Sequence, residues 1–232
     1  AEIIKMVREM EAEGARVMVF PELCITAYTC GDLFWQENLL EEAKVQLMRI
    51  AEETADVDAI IFVGLPLEYK GKLYNVAAGL NHGEILGFVP KTYLPNYNEF
   101  YEARYFTSGE DVDGTVTIRR SEYGLHHDEE MTDEDVEFGL EAEVEVLEEE
   151  DSFEELEEID EEPDYIDEDE TEEFDEVDVP ISSNILFICQ EMPKLKIAAE
   201  ICEDLWVPNP PSVGHAYHGA NLIVNLSASD EV

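Results

Sequence analysis

The chain has 232 residues, with 13 basic and 58 acidic side chains and a formal net charge of −45 at pH 7. Duplex nucleic acid and anionic membranes require a basic surface, so we expect neither as a partner. Residues 121–178 hold 32 of the acids and no Lys or Arg, which leaves 26 acids, 13 bases and a net charge of −13 elsewhere. The sequence therefore divides into a moderately acidic body and one strongly acidic segment.

The acidic segment is predicted to be an insertion in a surface loop of that body. Blocks of like charge repel and resist compaction, so we expect residues 121–178 to be largely disordered and residues 1–120 and 179–232 to form one domain. An arm for a basic partner and an adaptation to high salt are the alternatives. The segment has no EF-hand spacing, and its scattered apolar residues suffice for only a marginal strand or helix.

Helices and strands alternate at both ends of the chain, with hairpins between them. Apolar periodicity predicts helices over residues 1–13, 36–53 and 212–219. Apolar or alternating runs predict strands over residues 16–20, 59–63, 65–68, 73–80, 84–89, 115–118, 185–189, 195–199 and 222–226. Tight turns at residues 70–71 and 82–83 predict an antiparallel meander from residue 65 to residue 89. This order predicts an α/β fold.

The four cysteines and the hydropathy bear on where the protein works. Cys24, Cys30, Cys189 and Cys202 show neither a CxxC spacing nor a dense framework. We therefore expect reduced thiols in a cytoplasmic protein. No apolar stretch approaches 18 residues, so no membrane span is predicted. The sequence starts without Met inside a helix pattern and ends just after a strand pattern, and we expect a fragment of a longer protein.

Three chemically distinct side chains directly follow predicted strands. Glu22 follows residues 16–20, Lys91 follows residues 84–89, and Cys202 follows residues 195–199. A cysteine becomes a nucleophile as its thiolate, which needs a base and a nearby positive charge. Alone, each residue has an ordinary structural explanation. Together they predict acyl transfer from an amide or nitrile through a thioester, without a metal.

The short sequence motifs around these residues resemble those of a known family. Residues 20–23 (Phe-Pro-Glu-Leu), 90–97 (Pro-Lys-Thr-Tyr-Leu-Pro-Asn-Tyr) and 201–206 (Ile-Cys-Glu-Asp-Leu-Trp) resemble the three catalytic motifs of the nitrilase superfamily. With residues 28–34, 98–102 and 225–229, they are most similar to the glutaminase domain of glutamine-dependent NAD synthetases. The resemblance implies a four-layer α-β-β-α sandwich, here truncated at both ends and interrupted by the acidic insertion.

The resemblance also implies an activity and a set of site residues. Glutamine would be hydrolysed to supply ammonia for NAD synthesis, with Glu22 as general base, Lys91 as oxyanion stabiliser, Cys202 as nucleophile and Glu102 as support for the lysine. The glutamine pocket would be lined by Tyr28, Tyr97, Phe100, Glu203 and Ser229. Ala27 stands where the family more often has Gly, a difference that we expect to be minor.

The remaining implications concern partners and cofactors. Glutamine hydrolysis would need no cofactor, whereas ATP and Mg²⁺ would serve a synthetase domain of the same polypeptide, whose Ser-Gly-Gly loop is not in this sequence. The resemblance also implies a homo-oligomer. Two alternatives stay open, namely a stand-alone nitrilase-type amidase for another small amide and a catalytically inactive interaction module that works through its acidic segment.

Overall fold

The computed structural model describes residues 1–119, 141–147, 176–190 and 192–228. The α-helices are α1 (Glu2–Ala12), α2 (Glu37–Glu53) and α3 (Pro211–Tyr217). The strands are β1 (Val17–Val19), β2 (Ile60–Tyr69), β3 (Lys72–Asn81), β4 (Glu84–Pro90), β5 (Asp113–Arg119), β6 (Ala142–Val146), β7 (Glu176–Ser182), β8 (Ile185–Cys189), β9 (Lys196–Ile201) and β10 (Leu222–Leu226). Short 3-10 helices cover Tyr28–Trp35, Glu102–Arg104 and Cys202–Leu205. The predicted α/β class is confirmed.

The strands form two sheets. The first has the order β1-β2-β3-β4-β7-β5 and the second the order β10-β9-β8-β6. The predicted meander is present, because β2, β3 and β4 pair antiparallel in sequence. β1 is parallel to β2 and therefore to β4, so both of these strands end at the same edge of the first sheet.

The two sheets pack face to face between helices. α1 and α2 share one apolar cluster with the outer face of the first sheet. Between the sheets, the ring centroids of Phe62 and Phe187 lie 5.0 Å apart. Gly79 makes room there, since a Cβ on it would lie 2.5 Å from the Phe187 ring. α3 covers the second sheet, and the four-layer α-β-β-α order is confirmed. Within the described ranges, no helix has the length and apolar character to cross a bilayer.

Strand β6 and the first three residues of β7 lie inside the segment predicted to be largely disordered. β6 pairs antiparallel with β8, and β7 begins at Glu176, inside residues 121–178. In β6 the side chains alternate, so that Val144 and Val146 pack on the inter-sheet core while Glu143 and Glu145 are exposed. Alternation lets a strand bury one face despite an acidic composition. β6 is thus a strand of the marginal kind that the scattered apolar residues allow. The expectation that the segment is largely disordered stays a prediction, because residues 120–140 and 148–175 lie outside the described ranges.

One strand, β2, stands in place of the two strands predicted over residues 59–63 and 65–68. Gly64 is the position at which another segment of the chain passes close to this strand. The chain that leaves β1 packs against Gly64, whose amide donates to Cys24 Sγ at 3.4 Å and whose carbonyl accepts from Ile25 N at 3.1 Å. A Cβ on Gly64 would lie 2.9 Å from Pro21 O and closer still to Leu23 N. The absent side chain thus sets the position of the turn that carries Glu22.

We expect Gly64→Ala to destabilise the fold by about 1–3 kcal/mol, because the added methyl group overlaps backbone atoms that cannot rotate away. The measurement is the unfolding free energy from urea titration. The matched control is Gly214→Ala in α3, where a Cβ would meet nothing within 4 Å and helix propensity favours alanine by about 1 kcal/mol. Equal effects of the two substitutions would contradict the close packing.

Ala27 occupies a backbone conformation that alanine rarely adopts. Its φ and ψ are 100° and 146°, a region used almost exclusively by glycine. The side chain therefore imposes a strain of about 1–3 kcal/mol, directly before Tyr28. The expectation that this departure from the family is minor is wrong, because the cost lies in the backbone.

Ala27→Gly should therefore stabilise the protein by about 1 kcal/mol, since relief of strain exceeds the extra entropy of glycine in the unfolded chain. Ala220→Gly provides the control of opposite sign, because Ala220 is not among the residues with positive φ. That substitution should cost about 0.5–1 kcal/mol. The measurement is the thermal unfolding of both variants and of the wild type. An Ala27→Gly variant less stable than the wild type would contradict the backbone strain at Ala27.

Candidate active site

A buried lysine joins two carboxylates at the edge where β1 and β4 end. Lys91 Nζ donates to Glu22 Oε1 at 2.6 Å and to Glu102 Oε1 at 2.7 Å. The Lys91 and Glu22 side chains are fully buried, and that of Glu102 is 4 % exposed. Lys91 is placed by the end of β4, since its N–H donates to Asn75 O at 2.8 Å. The structure thus brings together three of the predicted site residues.

Electrostatics keep this lysine charged. Burial lowers the pKa of Lys91, but the negative charges of Glu22 and Glu102 and their hydrogen bonds outweigh burial and raise it. For Glu102, burial raises the pKa against the opposing charge of Lys91, and the charge of Glu22 raises it further. At neutral pH, Lys91 is therefore an ammonium that presents N–H donors inside a dry cluster.

The nucleophile candidate sits in a strained turn. Cys202 directly follows β9, is 8 % exposed and has φ +45°, in the left-handed region that costs a non-glycine residue about 1–3 kcal/mol. Ser227 Oγ donates to Cys202 Sγ at 3.4 Å, and Asn225 Nδ2 donates to Cys202 O at 3.5 Å. Both partners come from the neighbouring parallel strand β10 and its end. Hydrogen bonds to the sulfur and to the carbonyl oxygen of Cys202 thus hold the turn in place.

Asp204 ties this turn to the segment that follows Lys91. Its carboxylate accepts the backbone N–H groups of Tyr93 at 2.7 Å, Ile201 at 3.0 Å and Thr92 at 3.1 Å. Burial raises the pKa of Asp204 to about 7, against the lowering effect of the Tyr93 and Ile201 N–H groups and of the Lys91 charge. The Asp204 side chain therefore links the two sheets, because β4 belongs to the first sheet and β9 to the second.

Aromatic side chains form a wall beside the cluster. Tyr28 OH donates to Glu102 Oε1 at 2.7 Å. Phe100 lies edge-on to Tyr28 and to Tyr97, with centroid separations of 6.4 and 5.8 Å. Tyr97 OH donates to Glu203 Oε2 at 2.8 Å. Four predicted pocket residues thus form one connected chain of contacts, while Ser229 lies outside the described residues.

The tyrosines also connect the wall to Cys202. Burial raises the pKa of Tyr28 far above its ordinary value, helped by the hydrogen bond to Glu102 and by the charges of Glu102, Glu22 and Cys202. The pKa of Tyr97 is raised by its hydrogen bond to Glu203, by burial, and by the charges of Glu203 and Cys202. Cys202 is therefore within electrostatic range of both tyrosines.

Three contributors to the site were missed by sequence reasoning. Asn75 Nδ2 donates to Glu22 Oε1 at 2.6 Å, and Asp204 and Ser227 contact the turn as described above. Asn75 had a readable signal, since it is a polar residue inside an apolar strand pattern. Asp204 and Ser227 lie in motifs that resemble the family, but spacing alone does not say which backbone groups they contact.

The fold and the buried cluster of one ammonium and two carboxylates are those expected of an enzyme that hydrolyses carbon–nitrogen bonds. The carbon–nitrogen hydrolase family profile matches residues 1–231, and the chain belongs to this family. Among proteins of known name, it is 30 % identical over 229 residues to the glutamine-dependent NAD(+) synthetase of Mycobacterium tuberculosis. It is 39 % identical over 109 residues to that of Aquifex aeolicus. The resemblance drawn from the sequence is confirmed.

Solved structures show the same fold. A glutamine-dependent NAD(+) synthetase from Cytophaga hutchinsonii superposes with a TM-score of 0.63 at 24 % identity, over 98 % of this chain and 27 % of that one. A nitrilase-superfamily amidase from Nesterenkonia gives 0.54 at 16 % identity, over 99 % and 59 %. The M. tuberculosis match covers 99 % of this chain and 26 % of the relative, and the A. aeolicus match 47 % and 19 %. The chain thus spans about a quarter or less of these two relatives.

Asp204→Asn should change how stability depends on pH. The folded pKa of about 7 exceeds the usual 3.8, so the folded protein keeps a proton that the unfolded chain releases. The contribution of this carboxyl group is therefore complete below about pH 4 and is lost as the pH rises through 7, by at most about 1.4 kcal/mol per pH unit.

The measurement is the difference in unfolding free energy between the wild type and Asp204→Asn at several pH values across that window. Asp32→Asn is the control, because the Asp32 side chain is 70 % exposed and pairs with Arg104 at the surface. We expect the difference to shrink with rising pH for Asp204 alone. A difference independent of pH would show that Asp204 ionises in the folded protein as it does in the unfolded chain.

Proposed function

We propose that this chain hydrolyses the side-chain amide of glutamine through a thioester on Cys202, with Glu22 as general base and Lys91 as the cation that stabilises the oxyanion. The observation that carries the proposal is the ammonium of Lys91, buried between Glu22 and Glu102 and joined to the Cys202 turn through Asp204. Structural lysines are seldom buried, because burial must be offset by paired charges.

The first step is attack on the amide carbon. Glu22 Oε1 already accepts from Lys91 and Asn75, while Oε2 is buried and has no hydrogen-bond partner among the described residues. Oε2 is therefore the oxygen that takes the proton of the Cys202 thiol. The sulfur forms a bond to the carbonyl carbon, and the π electrons move to the oxygen, which becomes an oxyanion.

Lys91 stabilises that oxyanion. An ammonium has three N–H bonds, of which two are directed at Glu22 and Glu102, so the third serves the developing charge. Glu102 fixes the direction of the lysine, and Tyr28 in turn donates to Glu102. Donors that are already oriented need no reorganisation during the reaction, which is the main source of their catalytic effect.

The second and third steps release the products. The oxyanion collapses, the carbon–nitrogen bond breaks, and the nitrogen leaves as ammonia with the proton held by Glu22. Water then attacks the thioester and gives its proton to Glu22, and the carbon–sulfur bond breaks. The thiolate recovers that proton, and the product leaves as the γ-carboxylic acid, which becomes glutamate when its proton passes to ammonia or to water. Atoms and charges balance without a metal or a cofactor.

Glutamine is selected by the aromatic wall. The Glu203 carboxylate, oriented by Tyr97 OH, attracts the α-ammonium group, while Tyr28 and Phe100 flank the aliphatic stem. The part of Ser229 in this pocket stays a prediction, because Ser229 lies outside the described residues.

The ammonia passes to an ATP- and Mg²⁺-dependent synthetase domain of the same polypeptide, which forms NAD. The names of the sequence relatives support this destination, and a structure from Acinetobacter baumannii with TM-score 0.57 contains adenosine diphosphate. A stand-alone amidase is less favoured, because the amidase similarity is 16 % in identity and supports the fold alone. A homo-oligomer in the cytoplasm stays a prediction.

Cys202→Ala should abolish glutamine-dependent NAD formation, by about 10⁴-fold or more, while NAD formation from free ammonia persists. The assay uses the complete natural polypeptide with either nitrogen source. The control is Cys189→Ala, a buried cysteine at the opposite end of the second sheet, where β8 meets the residues before β9. We expect the control to retain both activities.

Loss of both activities in a folded Cys202→Ala protein would contradict the assignment, as would full glutamine-dependent activity. A second readout is a mass shift on the Cys202 peptide after treatment with a glutamine-like diazoketone. Labelling of another cysteine in place of Cys202 would identify a different nucleophile.

A further inference from the structure

Asn75 contacts two members of the cluster with its two ends. It lies in the middle of β3 and is 1 % exposed. Its side-chain Nδ2 donates to Glu22 Oε1 at 2.6 Å, and its backbone carbonyl accepts from Lys91 N at 2.8 Å. One residue therefore sets the relative position of the general base and the lysine, which follow different strands of the same sheet.

We propose that Asn75 is a positioning residue of this active site, which fixes the carboxylate of Glu22 so that Oε2 receives the proton of the Cys202 thiol. The inference rests on the proposed amide hydrolysis and adds a residue that the three motifs do not contain. Asn75 does not touch the reacting atoms and acts through Glu22.

The argument starts from the freedom of a glutamate side chain. Lys91 alone supplies one donor, and a carboxylate held at one point can still rotate about its last torsion, where the rotamer wells are broad. The Asn75 amide adds a second donor to the same oxygen from the neighbouring strand. Two donors occupy the acceptor capacity of Oε1 and fix the plane of the group. Oε2 is left as the oxygen available to a proton.

The second consequence concerns the charge on Glu22. Hydrogen bonds to a carboxylate favour its ionised form, so losing a donor favours the protonated form, which cannot act as a base. Among the described residues, the charged or titratable groups that interact with Glu22 are Lys91, Glu102 and Tyr28, on separate elements, and Cys202 is the thiol that it is proposed to deprotonate. All four are unchanged when Asn75 is substituted, so a shift in pH dependence reports on the Asn75 amide.

The test compares Asn75→Ala and Asn75→Asp with the wild type in the complete natural polypeptide. Two profiles are measured against pH: kcat/KM for glutamine, and the rate at which iodoacetamide alkylates Cys202, read by mass spectrometry. For Asn75→Ala we expect the acid limb of both profiles to move up by about one pH unit, and the plateau of kcat/KM to fall by about tenfold to a hundredfold.

Asn75→Asp keeps the shape of the side chain and replaces the donor by a second carboxyl group. Two adjacent carboxylates cannot both ionise freely, so the acid limb should move further than in Asn75→Ala. The midpoint of a limb does not depend on how much of the sample is folded. A folded fraction that is constant with pH therefore cannot imitate the expected shift, and the near-isosteric aspartate covers the case in which alanine does not fold.

Asn81→Ala is the matched control. Asn81 lies on the same strand, is 5 % exposed and donates through Nδ2 to Ala59 O at 3.1 Å, away from the cluster. Its loss removes this bond and the one that Asn81 Oδ1 accepts from Ala142 N at 3.1 Å, and both acid limbs should stay where they are in the wild type. An equal shift in Asn81→Ala would assign the effect to general loosening of β3 and overturn the inference.

Unshifted acid limbs in both Asn75 variants would also overturn it. The two readouts separate this failure from a failure of the proposed function, because alkylation of Cys202 needs no glutamine. A wild type that shows the alkylation limb but hydrolyses no glutamine would refute the substrate, while the alkylation profiles of the variants would still decide the role of Asn75.

Discussion

The burial of one ammonium group is the constraint on which the rest of the site depends. A lysine taken out of water loses several kcal/mol of hydration, and only close, well-oriented anions offset that loss. Lys91 has two of them, Glu22 and Glu102, each within 2.7 Å. Removing either would leave a buried charge underpaired, at a cost of about 3–5 kcal/mol. The elements that carry these three residues must therefore end at one place.

Backbone geometry at that place serves the same requirement. The turn after β1 can approach β2 only because Gly64 has no side chain, and the turn after β9 holds Cys202 at a positive φ. Strain of this kind persists only where surrounding contacts over-determine the conformation. Such contacts come from Asp204, which lies within the turn and accepts from Tyr93 N at the first sheet's edge, and from Asn225 of β10. The apolar packing between the sheets therefore matters for function, because it aligns the Lys91 cluster of the first sheet with the Cys202 turn of the second.

The sequence was sufficient for much of this picture. Period and turn residues predicted the meander, and the motifs predicted the ion pair of Lys91 with Glu102 as well as the pocket wall. The rest depended on contacts between distant segments. The apolar residues within 142–146 allowed only a marginal strand, and the strand forms where β8 offers an edge to pair with. Asn75 lies 53 positions from Glu22, and the cost at Ala27 resides in a φ angle that only the folded chain imposes.

The polar atoms of the cluster that lack partners also point to its substrate. Among the described residues, Glu22 Oε2, Glu102 Oε2 and Asn75 Oδ1 are buried without a hydrogen-bond partner, and all three are acceptors. Buried polar atoms left unpaired cost affinity, so these acceptors favour a substrate that brings N–H donors. A primary amide brings two N–H donors, and its departing nitrogen needs a carboxyl group close at hand. The unpaired acceptors therefore agree with the amide hydrolysis proposed above, since a primary amide can pair with them.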